Sequence, residues 1–209
     1  MKEKYFYISL IEEKRVEEVE IKVKIKTAQI RPIKRKLSGL GATFVEKEKE
    51  VDTYFTASHR DFIKTKECLR IREKGGYLEL TYKGPTTKLM KKKKQFWKQE
   101  INIPLNCSKK DIVALLESIG FKKVVDVVKE REKYRLGNQV ISFDNIKGLG
   151  WFLEIEKKVE SKKEREKALN DNRNLLKNIG VDEKNIITDP YRDLVLKRQK
   201  VKLCELNRQ

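Results

Sequence analysis

The chain has 209 residues, enough for one sizeable domain or two small ones. Lysine and arginine (50) outnumber aspartate and glutamate (32), and the resulting net charge of +18 favours anionic partners: nucleic acid, nucleotides, polyphosphate or anionic lipid. Three scattered cysteines (Cys68, Cys107, Cys204) and a single histidine, His59, exclude a disulfide framework, a zinc site and a His-rich metal centre, and no apolar run is long enough to span a membrane.

Residues 1–16 form an N-terminal extension whose role is not readable. Residues 17–196 form the main domain, and 197–209 the end of a last helix and a tail. No signal-peptide core is evident, so a reducing, cytoplasmic setting is the default expectation. From Val19 to Lys26 apolar and charged residues alternate, which predicts a half-buried strand. Its side chains point to opposite faces, with Glu18, Glu20, Lys22 and Lys24 on one and Val19, Ile21, Val23 and Ile25 on the other. Two carboxylates about 7 Å apart repel by roughly 2 kcal/mol at an effective dielectric near 20, so the charged face needs water or a cation.

Ala28 to Leu40 has helical spacing, with Pro32 near its start and Gly41 at its end. Phe44 to Phe55 reads as extended, and Asp61 to Glu67 as a loop with a short helical turn. Strands at 68–74 and 77–83 flank a Gly75-Gly76 hairpin turn. Arg70 and Arg72 share one face of the first; Glu79, Thr81 and Lys83 share one face of the second. Lys88 to Lys94 is a basic loop. A strand at 97–103, carrying Lys98, Glu100 and Asn102 on one face, leads through Ser108 as N-cap into a helix ending at Gly120. A strand ending near Tyr134 presents Lys129, Arg131, Lys133 and Arg135. Ser142 and Asp144 oppose Ile141 and Phe143, and Glu154 and Glu156 oppose Leu153 and Ile155. Helices over 161–180 and from Pro190 to Lys202 complete the chain.

The order strand–helix–strand–strand–strand occurs twice. Leu37-Ser38-Gly39-Leu40-Gly41 and Leu116-Glu117-Ser118-Ile119-Gly120 mark corresponding helix ends. Two similar halves closing one antiparallel sheet, with helices on its apolar outside, follow from this pattern. The charged faces then line the inside of an eight-stranded barrel, wide enough for one small ligand. Such an interior is costly unless its charges are paired. The basic residues, Lys22, Lys24, Arg70, Arg72, Lys83, Lys129 and Arg131, suit phosphate oxygens. The acidic residues, Glu18, Glu20, Glu100, Asp144, Glu154 and Glu156, suit a hard cation, Mg²⁺ or Mn²⁺. Together they describe a site for a metal-bound triphosphate.

The ordered set Glu18-Val19-Glu20-Ile21-Lys22, Asp52-Thr53-Tyr54-Phe55, Arg60-Asp61-Phe62, Leu69-Arg70-Ile71-Arg72, Thr81-Tyr82-Lys83-Gly84-Pro85, Lys129-x-Arg131-x-x-Tyr134 and Leu153-Glu154-Ile155-Glu156 resembles the CYTH family, which joins class IV adenylyl cyclases and thiamine triphosphatases. The resemblance covers 17–196 and implies an α+β fold, an eight-stranded antiparallel triphosphate tunnel with helices outside. It implies that Glu18, Glu20, Glu154 and Glu156, with Asp144 nearby, bind metal, and that Lys22, Arg70, Arg72, Lys83, Lys129 and Arg131 hold phosphates. Lys22, Arg131 and Asp144 are the candidate catalytic residues. Lys98-Gln99-Glu100-Ile101-Asn102 departs from the family's frequent Arg-x-Glu-x-Glu, so Lys98 and Asn102 stay outside the expected site. The closest subgroup is cyclase-like, converting ATP to cyclic AMP and pyrophosphate. The alternatives are a triphosphatase acting on tripolyphosphate, thiamine triphosphate or a nucleotide, and a non-catalytic binder of polyphosphate or RNA. Trp97 and Trp151 form no stacking platform, so no nucleic-acid partner and no membrane partner are expected; a homodimer is allowed. Tyr134 and Tyr191 read as packing residues.

Overall fold

A computed structural model describes residues 17–85 and 97–206. The expectations for the N-terminal extension, the basic run Lys88 to Lys94 and the last three residues lie outside the described residues.

Eight antiparallel strands close into a barrel in the order β1-β5-β4-β3-β2-β6-β7-β8. They are β1 (Glu17–Lys24), β2 (Thr43–Ala57), β3 (Cys68–Lys74), β4 (Tyr77–Lys83), β5 (Trp97–Leu105), β6 (Phe121–Leu136), β7 (Gln139–Ile146) and β8 (Gly150–Val159). The helices are α1 (Thr27–Gly39), α2 (Phe62–Thr65), α3 (Lys109–Ser118), α4 (Glu164–Asn178) and α5 (Tyr191–Leu206). Each half of the chain repeats strand, helix and three strands, as its sequence order predicts. The first strand of each half crosses to the other half: β1 pairs with β8, and β5 pairs with β4. The halves also meet along β2 and β6, whose pairing runs from Thr43↔Arg135 to Ala57↔Phe121.

The strand register turns the sequence alternation into two chemically distinct surfaces. Outward residues Val19, Ile21, Val23, Ile141, Phe143, Leu153 and Ile155 are buried under Ile33 and Leu37 of α1 and Leu169, Leu175 and Leu176 of α4. Burying each such side chain contributes roughly 1.5–3 kcal/mol. Around β2 and β3, Phe55, Leu69 and Ile71 pack with Phe62 of α2 and Ile112 and Leu116 of α3. Tyr191 and Leu194 of α5 pack with Val125, Val127 and Phe152. Val125, Val127 and Phe152 share the inward parity of Lys129, Arg131 and Glu154, so the start of α5 packs against the inner face of the barrel, while the other helices cover the outer apolar faces and the charged faces are left inside.

The helices differ slightly from the sequence reading. The helix expected over 161–180 spans Glu164–Asn178, and the last begins at Tyr191 and continues to Leu206. Pro32 stands a turn and a half into α1 rather than at its start. Lacking an N–H, it cannot donate to the carbonyl of Ala28, but Ala28 is exposed and water can serve that oxygen. No helix among the described residues is long and apolar enough to cross a membrane.

Candidate active site

The barrel encloses a cavity of about 790 Å³, within the range of small-molecule sites. Its lining is sorted by charge through strand order. β8, β1 and β5 are consecutive in the barrel, as are β3, β2 and β6, and the two arcs lie across the barrel from each other. The first arc carries Glu154, Glu156, Glu18, Glu20 and Glu100. The second carries Arg70, Arg72, Lys129 and Arg131. Lys22 on β1 and Lys83 on β4 sit among the acidic groups.

The basic arc has a carboxylate foundation. Asp52 and Glu50 on β2 are fully buried beneath it. Arg72 grips Asp52 with two parallel bonds, Nε to Oδ1 at 2.7 Å and Nη2 to Oδ2 at 2.8 Å. Arg70 reaches the same carboxylate at 3.2 Å, and Lys129 at 3.4 Å. Lys129 also lies 2.8 Å from Glu50, and Arg72 3.2 Å from it. Burial works to raise Asp52 and Glu50, but the surrounding Arg and Lys charges outweigh it and hold both well below the usual carboxylate range. Burial, with Arg131 and Arg72 as neighbours, brings Lys129 below its ordinary value despite its two carboxylates. The cations are thus crowded, held on buried anions, and presented to the cavity. The Nε of Arg70 is buried and has no hydrogen-bond partner among the described residues. A buried donor in that state is satisfied by an acceptor arriving in the cavity, as a phosphate oxygen would.

Within the acidic arc Glu18 and Glu20 behave in the opposite way, whereas Glu100 is held low, its burial outweighed by Lys83, a hydrogen bond with Glu18 and the charge of Arg70. Burial pushes the Glu18 carboxyl up to about 8; Glu100 and Glu156 add to the rise against the pull of Lys83, 3.0 Å away. Burial and the charge of Glu154 raise Glu20 as well. Both rises mean that the ionised forms of Glu18 and Glu20 are disfavoured unless further positive charge is brought beside them, the role a divalent cation would fill. All the donors are carboxylate oxygens, the chemistry that Mg²⁺ and Mn²⁺ prefer. Among the described residues no group of three or more His, Cys, Asp or Glu is arranged so that it could by itself hold a metal ion. Mg²⁺ is typically bound by only one or two carboxylates and completed by phosphate oxygens and water, which needs no such preformed group.

At the β6 end of the basic arc, Arg131 is held from behind. Its guanidinium donates to Asp144 through Nε at 2.6 Å and Nη2 at 2.5 Å, and Nη2 also donates to Glu154 at 2.5 Å. Burial opposes ionisation of Glu154, but Arg131 and Lys22 prevail and keep it at about 2. Asp144 is fully buried and does not reach the lining. Its place is behind Arg131, which it shares with Glu154, and against Tyr191 of α5.

The structure brings Glu18, Glu20, Lys22, Arg70, Arg72, Lys83, Lys129, Arg131, Glu154 and Glu156 together around one cavity. Lys24 stands apart. It is the last residue of β1, is exposed, and rests 5.9 Å from the ring of Phe152.

The model of the CYTH domain matches residues 17–191. The chain belongs to the CYTH family. A Methanocaldococcus jannaschii protein provisionally named an adenylate cyclase is 33% identical over 176 residues, covering 84% of this chain and 98% of that protein. The solved structure of the PH1819 protein from Pyrococcus horikoshii OT3 is 34% identical, with a TM-score of 0.75 over 87% of this chain and 99% of that one. A Hippeastrum protein, provisionally named an adenylyl cyclase and described as having a dominant triphosphatase activity, shares the fold at 16% identity, with a TM-score of 0.56 over 79% of this chain and 88% of that one.

Two parts of this CYTH site, Glu50 and Tyr191, escape a reading by strand alternation. Glu50 has the right parity but sits in a charge-dense stretch, Glu46 to Glu50, where nothing marks it as the buried member. Glu100 was legible by parity; it lies 2.5 Å from Lys83 and 3.8 Å from Arg70, joining the two arcs at β5 and β4. Tyr191, expected to be a packing residue, packs and also lines the cavity, with its hydroxyl donating to Asp144 at 2.9 Å. It comes from a helix, where strand parity says nothing.

Proposed function

We propose that this CYTH chain is a metal-dependent enzyme acting on a nucleoside triphosphate, with ATP converted to cyclic AMP and pyrophosphate as its reaction. The observation that carries this reading is the opposition of the two arcs: cations fixed on buried carboxylates face a carboxylate wall across one cavity. A triphosphate with its cation is the small ligand whose charges complement both walls.

Arg70, Arg72, Lys129 and Arg131 bind phosphate oxygens, and the arginines can do so through paired N–H groups. Lys22 and Lys83 offset charge where the two arcs approach. Glu18, Glu20, Glu154 and Glu156 would hold the cation. When bound, it supplies electrophilic polarisation of a phosphoryl oxygen and lowers the pKa of an attached hydroxyl. The fixed cations stabilise charge that builds on the departing pyrophosphate, and they need no reorganisation because Asp52, Glu50 and Asp144 already hold them in place. In the cyclase reaction the ribose 3′-oxygen bonds to the α-phosphorus, the α–β bridging P–O bond breaks, and the hydroxyl proton is released.

The cavity end where the β3–β4 and β6–β7 hairpins turn is partly apolar, with Val45, Tyr77, Leu78, Leu105 and Val140 among the lining. A base and ribose fit there while the phosphates lie deeper. The name of the M. jannaschii relative supports the cyclase reading. The triphosphatase reading is favoured by a different observation. The charged groups deep in the cavity are the types that bind phosphate oxygens and hard cations, which hydrolysis of a bare phosphate chain requires, and the Hippeastrum protein of the same fold is described with that activity. Supplying ATP and tripolyphosphate separately, with Mg²⁺ or Mn²⁺, and identifying the products separates the two. Cyclic AMP with pyrophosphate supports the cyclase; orthophosphate from tripolyphosphate, without cyclic nucleotide, supports the triphosphatase.

A further inference from the structure

The Arg60-Asp61-Phe62 motif and the start of α5 lie outside the two arcs, yet a continuous chain of contacts joins them to Arg131. Asp61 caps α2, accepting from the backbone N–H groups of Ile63 at 2.9 Å and Lys64 at 3.1 Å. The short helix ends at Lys66, whose φ of 61° is the left-handed conformation. Beyond it Glu67 is fully buried and accepts from Arg60 Nε at 2.9 Å, Thr65 at 2.6 Å and Tyr82 at 2.5 Å. Arg192 of α5, also fully buried, donates to the carbonyl oxygens of Glu67 at 2.8 Å and Phe62 at 3.1 Å. Lys66 pairs with Asp193 and lies 3.5 Å from Asp189. The motif therefore clamps the first turn of α5.

The residue delivered by that clamped turn is Tyr191. Its hydroxyl donates to Asp144 at 2.9 Å, and Asp144 holds Arg131 in a bidentate pair. Arg131 donates to Glu154, Glu154 lies 3.9 Å from Lys22, and the Lys22 ammonium sits 4.5 Å over the Tyr191 ring. The contacts close on themselves: Tyr191, Asp144, Arg131, Glu154, Lys22 and back to Tyr191. The Lys129 ammonium lies 5.8 Å from the same ring. Burial and the charges of Asp144 and Glu154 raise the Tyr191 hydroxyl well above its ordinary value, so it stays a donor. Asp144 is acceptor-only when ionised, and with the Tyr191 hydroxyl on one oxygen its remaining lone pairs point at Arg131. Charge-assisted bonds of this kind fix geometry as well as add energy.

We propose that Tyr191 is a positioning residue: it fixes Arg131 through Asp144 and Lys22 through its ring, and the Arg60-Asp61-Phe62 clamp on α5 holds it there. The inference rests on the reading of Arg131 as a phosphate-binding group and of Lys22 as the cation that offsets charge beside it. It makes the start of α5 part of the phosphate machinery, and it gives the Arg60-Asp61-Phe62 segment a role at a distance from the cavity.

The test is a double-mutant cycle on Tyr191→Phe and Arg131→Lys, read by calorimetric titration with tripolyphosphate at fixed Mg²⁺ and by thermal melting. Tyr191→Phe keeps the ring, the packing and the contact with Lys22, and removes only the hydroxyl. The expected result is a 5- to 20-fold weaker Kd in the wild-type background and a change under 2-fold in the Arg131→Lys background, where the bidentate pair is already gone. Arg60→Gln should weaken binding 2- to 5-fold when Tyr191 is present and leave Tyr191→Phe unchanged. Equal losses in both backgrounds, or binding by Tyr191→Phe within 2-fold of wild type, would overturn the proposal. Wild-type protein that fails to bind tripolyphosphate would overturn the functional reading instead. The positioning claim then stands or falls on hydrogen exchange at Arg131 Nε–H: faster exchange in Tyr191→Phe supports it, and an unchanged rate sinks it.

Discussion

Asp52→Asn is the most informative single perturbation of the cavity. Asp52 is fully buried and holds Arg70, Arg72 and Lys129, three cations on one carboxylate. The amide is nearly isosteric but neutral, so the packing survives while the cations lose the anion beneath them. Removing one partner of a buried ion pair costs about 3–5 kcal/mol, because the remaining charge is left uncompensated. Glu50 stays in place and keeps Lys129 and Arg72 partly neutralised, which argues for the lower end of that range. For a domain of this size each kcal/mol lowers Tm by about 2–4 °C, so a fall of roughly 6–12 °C is expected without ligand. The second half of the prediction has the opposite sign. Tripolyphosphate replaces part of the missing negative charge, so its stabilising effect on Tm should be larger in the variant than in the wild type. Differential scanning fluorimetry over a tripolyphosphate series measures both. A variant that melts within 2 °C of wild type, or gains less from tripolyphosphate, would refute the account of Asp52 as the foundation of the phosphate wall.

Other consequences follow from the two arcs. Arg72→Ala should weaken tripolyphosphate binding by the value of one charge-assisted contact, about 1.5–3 kcal/mol or roughly 10- to 150-fold in Kd, whereas Lys123→Ala on the outer surface should change it less than about 5-fold. Isothermal titration of the two variants decides this, and comparable losses would point to non-specific polyanion binding. Glu20→Gln should abolish turnover yet melt no lower than wild type in EDTA, since it removes a carboxylate that burial and Glu154 already disfavour. The pH dependence has a defined sign. Folded Glu18, raised from 4.5 to about 8, keeps a proton that the unfolded chain has released between those values, so metal-free stability falls as pH rises through that window. Melting curves from pH 5 to 8 should show the decline in EDTA, a shallower one in Glu18→Gln, and a flatter one with saturating Mg²⁺.

The barrel was legible because inside and outside differ by one residue along each strand, and nearly every strand obeys that alternation. Val19, Ile21 and Val23 had to face helices, and Glu18, Glu20 and Lys22 then had to face the cavity. Lys24 obeys the same parity but ends up exposed, since alternation does not say where a strand leaves the barrel. Asp144 has inward parity too, yet it lies under Arg131; depth behind another side chain is a property of three dimensions. Tyr191 could not be found by alternation at all. Its signal is a tyrosine preceding Arg192 and Asp193 at a helix start, and its meaning depends on a clamp made with residues more than a hundred positions earlier. Strand order supplied what no local pattern could: the acidic wall is assembled from β8, β1 and β5, which come from both ends and the middle of the chain.

Phosphorus NMR of the protein with ATP and Mg²⁺ or Mn²⁺, beside a matched sample with excess EDTA, tests the central claim most directly. The account predicts that the three ATP resonances give way to cyclic AMP and pyrophosphate only in the metal-containing sample. Turnover that continues unchanged in EDTA, or ATP left intact and unbound with either metal, would contradict it.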